Sequence, residues 1–151
     1  MTYLYELAGL VVFVIAFVLF GRFVLRLLAR WGKWSDLART YGAESQFSGP
    51  TKSLQSGSFG PSVHKGTLVL GADASALHVS VLPIFSYAHP PLRIPWQDIK
   101  VHKRNGLFGD ELVLTIRNHP SIEIYALPSM ADLLNTWSKG AFQLPAADDH
   151  L

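Results

Sequence analysis

Residues 111–137 read ELVLTIRNHPSIEIYALPSMADLLNTW, and two different periods meet inside them. Leu112, Leu114 and Ile116 alternate with Val113, Thr115 and Arg117, and Ile122 and Ile124 flank Glu123. A period of two puts the apolar side chains on one face of a half-buried strand. Asn118-His119-Pro120, between the two runs, reads as the turn of a hairpin. After Leu127 the period lengthens: Met130, Leu133, Leu134 and Trp137 share one stripe of a helix that ends before Gly140. Ser129, with Asp132 three residues on, is the expected cap of that helix.

Upstream the same alternation recurs. Leu77, Val79 and Val81 alternate with His78 and Ser80, and further strands are expected over 56–59, 65–70 and 92–96, with turns at 71–75 and 83–91. Six or seven short strands followed by one amphipathic helix predict a mainly β domain: a bent antiparallel sheet or open barrel closed by the C-terminal helix. The expected division is an anchor with a basic extension over 1–30, a short amphipathic helix and Ser/Gly/Pro-rich linker or first strand over 31–61, the β domain over 62–140, and a flexible tail over 141–151. Over 34–41 the apolar residues Trp34, Leu37, Ala38 and Tyr41 fall on one helical face.

The N-terminus has a different character. Between Glu6 and Arg22 no residue is charged and most are Leu, Val, Ile or Phe. A run of about fifteen such residues inserts favourably into lipid, and extended from near Tyr3 to near Leu25 it spans a ~30 Å hydrocarbon core. The first five residues carry no Lys or Arg and no A-x-A-like site follows, so the pattern is that of a single-pass anchor rather than a cleaved leader. Arg22, Arg26, Arg30 and Lys33 follow the apolar run at steps of four, four and three, one stripe of a continuing helix. By the positive-inside rule they put the C-terminal domain in the cytoplasm, at the cell (inner) membrane. The stripe also suits anionic lipid, and Trp31 and Trp34 suit the interfacial belt. Gly9 and Ala16 are each followed four residues later by Phe, so the run carries no small-residue dimerisation motif.

Chemistry is harder to find. The chain has no cysteine, which excludes disulfides and thiolate chemistry, and its formal charge of +2 is concentrated beside the anchor, leaving no basic surface of the kind nucleic acids need. His64, His78, His89, His102, His119 and His150 fall in different elements without metal-ligand spacing. No G-x-S-x-G elbow occurs, and Asp110 and Glu111, being adjacent, would face opposite sides of a strand. No cofactor, metal or small-molecule substrate is expected. The surface that stands out is 100–109, where Lys100, Lys103 and Arg104 precede Asn105-Gly106 and Leu107-Phe108: either a basic loop with an apolar tip, suited to anionic lipid or a protein partner, or an ordinary hairpin whose Leu107 and Phe108 fold back onto the core.

The stretches LVLGADASALHVSVL (68–82), HPPLRIPWQDI (89–99) and ELVLTIRNHPSIEIYALP (111–128), with WSDLARTYGA (34–43) after the anchor, resemble small bacterial membrane-anchored proteins carrying a GRAM-like, pleckstrin-homology-like domain. The resemblance covers most of the chain and implies a fold rather than a reaction. It implies that Ile94-Pro95-Trp96 leads a strand into a turn, with Trp96 and Ile99 in the core and Asp98 as a local cap. The early hairpin carries Lys65 without clustered basic partners, a departure from the phosphoinositide-binding pattern. The expected function is a non-catalytic binding or adaptor module held at the cytoplasmic membrane face. An accessory subunit of a larger membrane complex is the alternative, and an enzyme that pairs distant groups such as His89 and Asp98 comes third.

Overall fold

The thirty-residue apolar segment Thr2–Trp31 forms helix α1, and the period-two segments pair into one sheet, in a computed structural model that describes residues 1–31, 33–106 and 109–145. Helix α2 covers Trp34–Tyr41. Strands β1 (Thr51–Phe59), β2 (Ser62–Ala72), β3 (Ala76–Val81), β4 (Leu92–Pro95), β5 (Ile99–Gly106), β6 (Gly109–Ile116) and β7 (His119–Ala126) follow, and helix α3 covers Pro128–Trp137. The sheet order is β4-β3-β2-β1-β7-β6-β5, antiparallel throughout and curled into a half-barrel. α3 lies against β2, β6 and β7. The expected fold class is therefore the observed one, a mainly β architecture with an N-terminal apolar helix and a C-terminal helix.

The hairpin turn falls at Arg117-Asn118, and Asn118 takes the left-handed conformation (φ 65°) that Asn tolerates better than most residues. In β6 the inward residues Leu112, Leu114 and Ile116 are buried as their alternation requires. Val113, on the other face, is buried too, between His102 of β5 and Tyr125 of β7. α3 starts two residues earlier than its sequence indicates. Leu127 is the N-cap residue and Pro128 the first helical residue, where a missing N–H costs nothing, so Ser129 is inside the helix and does not cap it. Met130, Ala131 and Leu134 are buried, whereas Trp137 is half-buried.

The segment 31–61 holds the short amphipathic helix α2 and, of the two alternatives linker or first strand, the strand β1 from Thr51; α2 is part of the core. Two expectations need correction. Trp34 is fully buried, not interfacial; it stacks 4.6 Å from Phe59 and its Nε1–H donates to the Pro90 carbonyl at 3.0 Å. The C-terminal segment is tied down at Phe142, which is buried against Trp96 at 5.7 Å, while residues 146–151 lie outside those described. Trp96 and Ile99 pack half-buried on the core. Asp98 accepts the Tyr41 hydroxyl at 2.9 Å, so its main tie is to α2 rather than to its own turn.

The turn 73–75 is held by Asp73. Its carboxylate accepts the Ser75 and Ala76 amides, the Ser75 hydroxyl and His78 Nε2 at 2.6–2.9 Å. Burial alone would raise this carboxyl, but the hydrogen bonds from Ser75, His78 and Ala76 outweigh it and hold it well below the usual carboxylate range. Phe47 lies flat on His78 at 3.8 Å, and Gly71 makes room for it: a Cβ there would sit 2.8 Å from the Phe47 ring and 2.9 Å from the Pro50 carbonyl oxygen.

Candidate functional site

Where α1 meets the half-barrel, it reaches across to the 3-10 turn Pro83–Ala88. The Arg22 guanidinium stands 3.9 Å above the Tyr87 ring, and Arg26 stands 5.2 Å from it and donates to the Tyr87 hydroxyl. The arginines lower the Tyr87 pKa, Arg22 by its hydrogen bond first. Arg30 remains exposed at the end of α1. Lys33 does not continue the stripe. It takes φ 57°, which breaks the i to i−4 ladder and starts α2 in a new direction, and its side chain lies over Gly60 at the β1–β2 turn. The side chain of Trp31 is outside what the structure describes.

Beneath this junction four aromatic rings converge from α2, β1, β2 and the turn that precedes β4. Trp34 meets Phe59 at 4.6 Å, His64 at 5.8 Å and His89 at 5.1 Å, and the two imidazoles are 5.5 Å apart. His89 is buried; its Nδ1–H donates to the Phe85 carbonyl at 3.1 Å, and Nε2 has no partner among the described residues. Burial pushes both imidazoles down, His64 to about 4 with His89 beside it adding to the effect, and the Phe85 carbonyl partly offsets the shift at His89. Both are neutral at pH 7. Sequence reasoning missed this cluster, since its members are separated by many residues and none sits in a motif.

The consequence is a stability that depends on pH. A folded-state pKa below the unfolded value means that the unfolded chain binds more protons between about 4 and 6.5, so stability is full above this window and is lost as pH falls through it. For His64 the loss should be on the order of 2 kcal/mol by about pH 4.5. Melting curves from pH 7 to 4.5 should therefore fall less steeply for His64→Gln than for the wild type, and superimposable profiles would remove His64 from the account.

The second candidate surface differs from its expected form. Residues 100–106 are not a loop but the edge strand β5, paired with β6 from Ile99↔Ile116 to Gly106↔Gly109. Ile99 and Val101 alone give β5 apolar alternation, so its polar remainder resembled a loop. Lys100 and Lys103 are exposed on it. Arg104 is not a free cation: it donates to Glu111 at 2.8 and 3.0 Å and to Glu123 at 3.1 Å, and lies 4.8 Å from the Tyr125 ring. Leu107 and Phe108, the expected apolar tip, lie outside the described residues. Gly60 donates to the Ser121 carbonyl, so Lys33 sits at the end of the sheet where β6 turns into β7. The Gly106↔Gly109 pair is at the opposite end, roughly 20 Å along the strand, with Lys103 and Arg104 toward it, and Lys100, paired with Thr115, lies near the first end but on β5, three strands across the sheet from β1. The structure thus does not bring the two groups of basic residues together.

His89 and Asp98 are not joined either. They meet α2 at its two ends, His89 at Trp34 and Asp98 at Tyr41. Burial first, then the Asp98 carboxylate, raises the Tyr41 hydroxyl pKa, as a structural hydrogen bond would. Among the described residues no group of three or more His, Asp or Glu is placed to hold a metal ion.

The architecture is that of an antiparallel half-barrel with an N-terminal helix long and apolar enough to cross a membrane. Compared with protein-family models, curated proteins and solved structures, the chain matches none.

Proposed function

We propose that this chain is a single-pass, non-catalytic binding or adaptor module. In this reading α1 spans the cell (inner) membrane, Arg22, Arg26 and Arg30 keep the C-terminal part in the cytoplasm, and a half-barrel of the pleckstrin-homology-like, GRAM-like kind is displayed at the membrane face. The observation that carries the reading is the seating of Arg22 and Arg26 of α1 on Tyr87. A flexible tether would need no such contact, whereas a module that must present one face to a partner does. Exposed Lys100 and Lys103, on the edge strand three places across the sheet from β1, suit a protein partner with an acidic surface better than they suit the lipid.

Two measurements test this. A C-terminal reporter that is active only inside the cell should be active, and one active only outside should be silent; the reverse pattern overturns the orientation. A photo-crosslinking residue at Lys103 in the native membrane should capture one protein, and Lys100→Glu with Lys103→Glu should abolish that capture. Capture along α1 with none at β5 would replace the adaptor by an accessory subunit packed through its helix.

A further inference from the structure

Beside the Arg–Tyr87 contact lies a cleft of about 420 Å³ between the end of α1 and the half-barrel. Leu25 and Leu28 of α1 form one wall, and Val63 and Phe85 face them. Its polar part comes from Ser62, Lys65 and Thr67 on β2, with the edges of His64 and His89 behind them. No Asp or Glu lines it, and Arg22 and Arg26 stand on the same helix within a turn of Leu25.

From this arrangement we infer that the cleft is a site for one anionic phospholipid of the adjacent leaflet, an inference that rests on α1 spanning a bilayer. Three features favour a lipid over other occupants. The apolar wall is the continuation of the lipid-facing surface of α1, so a lipid reaches the cleft by lateral movement without leaving the bilayer. Val63 of its lining is 58% exposed, and Ile84, next in sequence to the lining Phe85, is 76% exposed, apolar surface that water would disfavour and an interface would cover. The charge is one-sided: Lys65 is the charged residue of the lining and complements a phosphate, and Arg22 and Arg26, seated on Tyr87 nearby, add to the positive potential. The hydroxyls of Ser62 and Thr67 approach the two ring nitrogens of His64, at 3.5 and 3.4 Å; on a neutral ring one of these hydroxyls faces the N–H and keeps its own proton to give to a phosphate oxygen. The volume lies in the ~300–1,000 Å³ range of small-ligand sites, enough for a headgroup and its glycerol, with the acyl chains left in the bilayer.

The test is native mass spectrometry of the full chain released from bilayer discs that contain equal amounts of phosphatidylglycerol and phosphatidylcholine. Wild type should retain one phosphatidylglycerol in preference to phosphatidylcholine. Lys65→Gln should lower that retention about fivefold, the effect of one basic residue at a membrane surface. Val63→Trp, which fills the cleft from an exposed position, should abolish it. Lys100→Gln, on β5, should leave it unchanged. Equal retention of the two lipids, or a phosphatidylglycerol adduct that survives Val63→Trp in a chain melting like wild type, overturns the site; if Val63→Trp does not fold, Lys65→Gln against Lys100→Gln decides. Displacement of the adduct by inorganic phosphate would make a free anion the ligand instead of a lipid. Release of the chain from membranes by alkaline carbonate would count against the anchor itself, whereas a membrane-retained chain without lipid preference would count against the cleft alone.

Discussion

Trp34→Ala should destabilise the half-barrel by about 3–5 kcal/mol, the range for removal of a buried aromatic side chain. Residue 34 precedes every strand, and in a sequence that follows an apolar run with basic residues a Trp there reads as a membrane-interface residue. Its indole is instead fully buried, stacked on Phe59 and met edge-on by His89. Truncation to Ala would open a cavity at the point where α2, β1, β2 and the turn before β4 meet, and would leave the Pro90 carbonyl without the Nε1–H that now reaches it at 3.0 Å. Trp34→Phe keeps most of the ring volume and should cost less, about 1–2 kcal/mol, through the lost hydrogen bond and partial repacking. Chemical denaturation of the detergent-solubilised chain, followed by tryptophan fluorescence and circular dichroism, measures both. A change below about 1 kcal/mol for Trp34→Ala would return residue 34 to the membrane surface.

Leu134→Ala should cost about 2–5 kcal/mol, and Trp137→Ala distinctly less in spite of the larger side chain. Leu134 is fully buried on the face of α3 that lies against β2, β6 and β7, together with Met130 and Ala131. Trp137, one turn on, packs on the core with only part of its surface, so its removal exposes a smaller cavity that solvent can partly fill. Size alone predicts the opposite order. Paired denaturation curves for the two variants, read by circular dichroism so that the loss of a Trp does not affect the signal, distinguish the cases. If Trp137→Ala were the costlier change, α3 would be rotated about its axis relative to the sheet.

The mistaken assignments share one physical origin. β5 was hidden because an edge strand needs only Ile99 and Val101 to face the core, and the rest of IKVHKRNG meets solvent and obeys no period. From sequence alone Arg104 reads as a free cation, because its partners Glu111 and Glu123 become neighbours only when β5, β6 and β7 pair. The stripe Arg22–Arg26–Arg30–Lys33 was extended one residue too far, since a left-handed Lys33 leaves no mark in hydropathy. The distance of Trp34 from the apolar run suggests an interfacial residue, whereas its helical spacing with Leu37, Ala38 and Tyr41 marks an apolar face that the core covers.

What the sequence determined by itself is whatever one window of chain can express. The uncharged run of α1 states its own solvent preference. The period of two in β3, β6 and β7 states which face is buried, and the stripe of α3 needs the open half-barrel as its partner. Only the tertiary structure decided where charge is free and where it is cancelled, which aromatic rings converge, and what the end of α1 touches. Arg26 and Tyr87 are 61 residues apart, and Trp34 and Pro90 are 56 apart. Contacts of that kind are made by chain closure, so no local period, propensity or spacing carries them. The cleft beside Lys65 is of the same kind, because its two walls come from segments that meet only when the half-barrel docks on the helix.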